Sequence, residues 1–194
     1  NNVHVIAIPT TRNKTIYDYN NNIIRSTSEC MAAILGGANS IKNFNYDSIY
    51  KNRNEFSKRI AINQLLILKH ESHIDKVKNP ISGSYYISYL VDEFSKKSFK
   101  LFKELDCKSG FLDHLKNGTI QRKIKENASR EQENYQSKLE ILVGSNCYAN
   151  MDEKMKQQLE TNPFPSRKSK KTLIEPLIKK RLAAESEKTR LDNE

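Results

Sequence analysis

No apolar run in this sequence approaches the roughly 20 residues that a helix needs to cross a bilayer, so a helical membrane span is not expected. There is no tryptophan. The only cysteines are Cys30, Cys107 and Cys147, too few and too widely spaced for a disulfide framework or a zinc site. Three unpaired thiols suit a reducing, cytoplasmic compartment. Neither standard Gly-rich phosphate loop is present. The chain shows no signal peptide and does not begin with Met, as a fragment, a processed product or a trimmed chain would read. Hydrophobic residues make up 37%, below the usual globular share, and charged residues 29%. That balance fits a helix-rich chain with much exposed surface.

The 194 residues carry a formal net charge of +10. A basic chain favours anions: nucleic acid, a membrane surface, phosphates or an acidic partner. Here both signs are interleaved, as in 126–140, and no nucleic-acid motif accompanies them, so solubility is the preferred reading. A basic, helical nucleic-acid-binding protein stays as the alternative from another class.

Periodicity and punctuation predict a strand over 3–8, closed by Pro9, and a helix over 18–35 with Ile23, Ile24, Met31, Ala32, Ile34 and Leu35 at helical spacing. Gly36-Gly37 stops it. A short strand over 38–42 and a polar connection over 46–52 follow. A second helix spans 55–70, with so many apolar positions that it should be covered on more than one side. The run Asn79-Pro80-Ile81-Ser82-Gly83-Ser84 is a turn cluster. Beyond it a long helix over 85–105 presents Leu90, Val91, Phe94, Leu101, Phe102 and Leu105 as its core side. A helical turn over 111–117, a charged helix over 119–139 and a strand over 141–143 complete the first 150 residues. Residues 151–194 read as a tail: an extended linker at 162–166, a basic run at 167–171 and a polar helix over 173–191 that packs on a neighbour or leads into another module. Alternating strands and helices suggest an α/β barrel or a doubly wound sheet. Closing a barrel of eight units takes about 250 residues, so this chain would supply only part of one.

Self-contained chemistry is hard to find. His70 and His73 flank Glu71, but the metalloprotease pattern needs a spacing of four, and an exposed helix end is the simpler reading. Ser82, Ser84, Tyr85 and Tyr86 have no histidine and acid beside them and read as turn and capping residues. Tyr17, Tyr19, Tyr46 and Tyr50 could stack on a base, although packing is the commoner use of such rings.

A resemblance adds what the residues alone do not give. Asn21-Asn22-Ile23-Ile24-Arg25, running through Met31-Ala32-Ala33-Ile34-Leu35 into Gly36-Gly37, resembles a barrel segment of the methylmalonyl-CoA mutase family. Arg59-Ile60-Ala61 with Asn63 and then Glu71-Ser72 is similar to the next helix, and Asn79-Pro80-Ile81-Ser82-Gly83-Ser84-Tyr85-Tyr86 to a turn. Gly110 to Ile120 and Val143-Gly144-Ser145-Asn146 resemble later landmarks, where the family typically has Val-Gly-Val-Asn. The similarity covers about three quarters of the chain.

The resemblance implies the C-terminal part of a (β/α)8 barrel of the TIM type over residues 1–150. It also implies an adenosylcobalamin-dependent interconversion of methylmalonyl-CoA and succinyl-CoA. The departures point to the small, non-catalytic subunit. Where catalytic chains carry a polar run, this chain reads His4-Val5-Ile6-Ala7-Ile8-Pro9-Thr10-Thr11. The glutamine that approaches the corrin corresponds to the shorter Asn39, and Glu71 is retained at an adenosyl-facing position. Asn39 and Glu71 are therefore the vestigial cofactor positions, with no catalytic residue and no metal site. The cobalt-ligating Asp-x-His-x-x-Gly motif is absent. The expected partner is a large catalytic subunit in a heterodimer that holds the adenosylcobalamin and the acyl-CoA, with no membrane and no nucleic acid. The alternative within the family is a fragment of a catalytic chain.

Overall fold

The computed structural model describes residues 3–107, 110–164 and 172–194. The elements run β1 (Ile6–Ala7), α1 (Asn21–Leu35), β2 (Ser40–Ile41), α2 (Glu55–His70), α3 (Tyr85–Asp106), α4 (Gly110–Lys116), α5 (Thr119–Gln136) and α6 (Ala184–Asp192). The result is a helix-rich α/β chain with one short parallel sheet, in which Ile6 pairs with Ser40 and Ala7 with Ile41. The chain divides into two compact units. The first takes in 1–80, 133–166 and 179–194, and the second 81–132 and 167–178.

In the first unit, α1 ends where the sequence says it should. Gly36 donates to Ala32 O, and Gly37 turns the chain through φ +84 into β2. Which face α1 buries is a correction. Asn22, Ser26 and Cys30, spaced by four, are the buried positions, while Ile24 and Met31 of the expected apolar stripe stay exposed. The reason lies on α2, whose buried face is Ser57, Ala61, Gln64 and Leu68. Small side chains let the helices approach, and Gln64 then bridges them. Its Nε2 donates to Ile23 O at 2.7 Å, to Ser26 Oγ at 2.9 Å and to Thr27 Oγ1 at 2.7 Å. The helix it sits on is well terminated. Asn54 caps the N-terminus by accepting from Ser57 N, Glu55 lies in the first turn, and Lys69 and His70 lie in the last, all matched to the helix dipole.

The core of this unit gathers Ile16, Tyr17, Tyr50 and Met155, with Tyr19, Ile49, Leu159, Phe164 and Leu191 packed around them. The expected polar connection at 46–52 thus contributes Tyr50, the largest fully buried side chain. A second cluster joins Tyr135, Leu142, Leu182 and Ala183.

Two expected elements differ. The strand over 141–143 reduces to a single bridge between Val143 and Cys147, because Asn146 takes the bonds a ladder would use. Its Oδ1 accepts from Leu142 N, and its Nδ2 donates to Tyr135 O and Glu140 O. The helix over 173–191 exists only from Ala184 on. Pro176 cannot donate to a helix and restricts Glu175, and Leu182 N is instead bonded to Arg12 O at 2.8 Å. The last two residues of the expected linker and all of the basic run at 167–171 lie outside the described residues.

In the second unit, α3 is capped by Ser84, whose side chain accepts from Ile87 N. No α3 residue is buried. The expected core side is largely open, with Val91 57%, Phe94 67% and Phe102 59% exposed. The turn at Gly110, with φ +78, leads into α4, which packs against α3. Gln121 on α5 is buried and donates to Leu115 O. Among the described residues, no helix is long and apolar enough to cross a membrane.

Replacing Gln64 by alanine removes a side chain that donates to three α1 acceptors at once. The expected outcome in urea unfolding followed by circular dichroism is a loss of about 1–3 kcal/mol. Exchange of the described α1 amides should accelerate along with it.

Candidate functional site

The chemistry of the first unit concentrates in the loop between β1 and α1, residues 10–20, at the carboxyl end of a strand. Its centre is a buried polar node. Asn22 Nδ2 donates to Thr15 O at 2.8 Å and to Tyr46 O at 3.1 Å, and Asn22 Oδ1 accepts from Thr15 N at 3.0 Å. Arg25 Nη1 donates to Thr15 Oγ1 and to Asn22 Oδ1, each at 2.9 Å, and Nη2 reaches Val143 O. The Asn-Asn-Ile-Ile-Arg motif thereby holds both the loop after β1 and the Val143-Gly144-Ser145-Asn146 turn.

Beside the node lies a second polar group. Lys14 Nζ donates to Glu29 Oε1 at 2.7 Å, and Asn13 Nδ2 donates to the same oxygen at 2.6 Å. Burial lowers the Lys14 pKa, although the Glu29 carboxylate opposes the shift. Glu29 Oε2 is buried without a partner. Burial, and then Glu29, push the neighbouring Cys30 thiol up, away from the thiolate that nucleophilic chemistry needs. Ala7, Ile8, Pro9, Glu29, Cys30 and Ile41 line an open groove of about 260 Å³ against α1. It is mostly apolar and holds no nucleophile–base pair.

A third group closes the loop from outside. Glu187 Oε1 accepts from Ile16 N at 2.8 Å, and its Oε2 pairs with Arg181 Nη1, which also donates to Lys14 O. Both Arg181 and Glu187 are buried. Burial pushes the Glu187 carboxyl up, while Arg181 and the Ile16 N–H pull it back.

The two expected cofactor positions, Asn39 and Glu71, sit at different elements. Asn39 precedes β2, and its side chain is committed to the sheet: Oδ1 accepts from Val5 N at 2.8 Å while Asn39 N donates to Val5 O. Glu71 caps the end of α2 through its backbone, and its carboxylate is exposed. Among the described residues no hydrogen bond joins the two side chains. His70 ends α2, while His73 lies beyond it at φ +52, so the two imidazoles do not share a helix face. No group of three metal-ligating side chains occurs among the described residues. The tyrosines do assemble, with Tyr19 stacked on Tyr46 at 6.2 Å and against Tyr50 at 5.4 Å, but Tyr17 and Tyr50 are buried, so the cluster is packing rather than an open platform.

Sequence reasoning missed Lys14, Glu29, Arg181 and Glu187. The bonds that Arg181 and Glu187 make to Lys14 and Ile16 span 167 and 171 positions, and no local pattern announces them.

A family model described as methylmalonyl-CoA mutase matches residues 2–193. The methylmalonyl-CoA mutase small subunit of Porphyromonas gingivalis is 32% identical over 192 residues, which is 99% of this chain and 31% of that protein. Methylmalonyl-CoA mutase of Rhizobium meliloti is 38% identical over 128 residues, 66% of this chain and 18% of that protein. The 2-hydroxyisobutanoyl-CoA mutase large subunit of Aquincola tertiaricarbonis is 28% identical over 143 residues, 74% of this chain and 25% of that protein. The chain spans about a third or less of the length of these relatives.

The turn at Gly144 gives a sharp test of how the node is built. Gly144 has φ +78, and a Cβ there would lie 2.4 Å from Asp18 Oδ2 and 2.8 Å from Asp18 Cβ. Gly144→Ala should cost about 1–3 kcal/mol from the backbone strain alone, with the clash adding to it. Thermal and urea unfolding of the variant measure the loss, and Gly37→Ala, which has open space around its Cβ, isolates the strain.

Proposed function

The chain belongs to the methylmalonyl-CoA mutase family, and on that premise we propose that it is the structural small subunit of a heterodimeric acyl-CoA mutase. The observation that carries this is the reach of the matches. The match to a small subunit runs over 192 residues, whereas those to chains named simply methylmalonyl-CoA mutase run over 128 to 134. A small subunit is thus matched along 99% of this chain, against 66% for the Rhizobium meliloti mutase.

In this reading residues 1–150 are the C-terminal portion of a (β/α)8 barrel and 151–194 are the tail. The order β1-α1-β2-α2 with a parallel β1–β2 pair supports it, since that is the repeating unit of such a barrel. The cofactor and acyl-CoA sites are on a large partner subunit. Adenosylcobalamin supplies radical chemistry when bound, and the groups of this chain are committed elsewhere. Asn39 clasps Val5, and the strand region from His4 to Thr11 offers an apolar run closed by the buried Pro9. Asn39 and Glu71 are then vestigial positions, and this chain's part is to support its partner in the cytoplasm. A second reading, a segment of a catalytic mutase chain, draws on the higher identity of 38% to the Rhizobium meliloti protein.

Co-expression with a large mutase subunit tests the first reading. The expected outcome is stoichiometric co-purification, with the cobalamin absorbance spectrum on the complex and none on this chain alone. Isomerisation of methylmalonyl-CoA by the isolated chain with added adenosylcobalamin sinks it in favour of the second. Salt-dependent retention on nucleic acid without the partner would instead favour the nucleic-acid-binding alternative.

A further inference from the structure

We propose that residues 180–194 form a strap that sets the conformation of the loop between β1 and α1, with the buried Arg181–Glu187 pair as its lock. The inference stands on contacts within the first unit and does not rest on the mutase assignment.

The strap meets the loop at four successive places. Arg12 Nη1 donates to Lys180 O at 2.8 Å, and Leu182 N donates back to Arg12 O at 2.8 Å. Arg181 Nη1 donates to Lys14 O. Glu187 accepts from Ile16 N. Tyr17 Oη donates to Glu194 Oε1 at 2.6 Å, and the Arg190 guanidinium lies 3.9 Å from the Tyr17 ring centre. The far end is anchored separately. Glu194 Oε2 accepts from Met155 N and Lys156 N, and Arg190 Nη2 donates to Asn150 O and Glu153 O.

Two features make this more than a packed helix. First, α6 has a polar sequence, and what it buries includes the charged Glu187. A buried carboxylate that accepts a backbone N–H fixes the position of that N–H, whereas apolar packing tolerates sliding. Second, the loop so held lies at the carboxyl end of a strand in a parallel sheet, where open α/β folds place ligand-binding segments. From the other side it is held by Asn22 and Arg25. Thr15 and Ile16 are therefore gripped between α1 and the strap, and the strap is the side that can lift without unfolding α1 and α2.

Amide hydrogen exchange followed by NMR on the full chain tests the proposal. In Glu187→Ala, the Ile16 and Leu182 amides should exchange at least tenfold faster than in the native chain, while the mid-helix α2 amides keep their rates. Unchanged Ile16 exchange overturns the proposal, and so does an equal acceleration in α2, which would mean that strap and helices open as one unit. The double variant Arg181→Met/Glu187→Met removes both buried charges while keeping apolar bulk, and it decides alone if the single variant does not fold. Here α6 should stay protected while Ile16, its acceptor gone, still exchanges at least tenfold faster. Native protection at Ile16 in that variant shows that packing, not the lock, positions the loop.

Discussion

Arg25 is the point on which the first unit depends. One guanidinium joins the loop after β1, the first turn of α1 and the turn at Val143, the last of them 118 positions from Arg25. Charge-assisted bonds of this kind contribute about 1.5–3 kcal/mol each when desolvated. Their larger effect is on geometry. Asn22 cannot hold both backbone atoms of Thr15 unless that loop is brought back over α1, and the Val143 carbonyl keeps the far turn against the same helix. The approach of Gly144 to Asp18 follows from this closure, which is why a residue without a Cβ stands there.

The same node explains why the chain manages with few hydrophobic residues. A helix that buries Asn22, Ser26 and Cys30 gains little from transfer of apolar area. It gains instead by satisfying polar groups against a partner of matching shape, and Gln64 completes that match. Such an arrangement costs more to break than to leave out: an apolar pair at 26 and 64 could pack acceptably, but one polar group without its mate is stranded. Specificity of packing, more than the sum of buried area, is what these contacts supply. The second unit shows the contrast. There α3 carries a conventional apolar stripe, and it lies open.

Local signals were legible and long-range ones were not. The bounds of α2 could be read because Asn54, Glu55, Lys69 and His70 announce its ends in the sequence itself. The close of α1 was equally plain in Gly36-Gly37. The tail misled because polar residues at helical spacing outweighed one proline, and Pro176 decides the matter by chemistry rather than by pattern. Which face of α1 is buried was unreadable from hydropathy, since the answer depends on Gln64, 38 positions from Ser26. Glu187 and Ile16 are 171 apart, and nothing near either one marks the other.

The motif residues carry one further lesson about resemblance. Asn22, Arg25, Gly144 and Asn146 belong to the stretches that identify the family, and each has a structural task that needs no ligand: two build the node, one permits a close approach, and one closes a turn. Similarity built on such positions speaks for the scaffold and is silent on catalysis. Asn39 shows the same thing from the other direction. Its amide oxygen replaces a ladder bond at Val5, at the point where the two strands begin to pair. A side chain so used holds the two strands together.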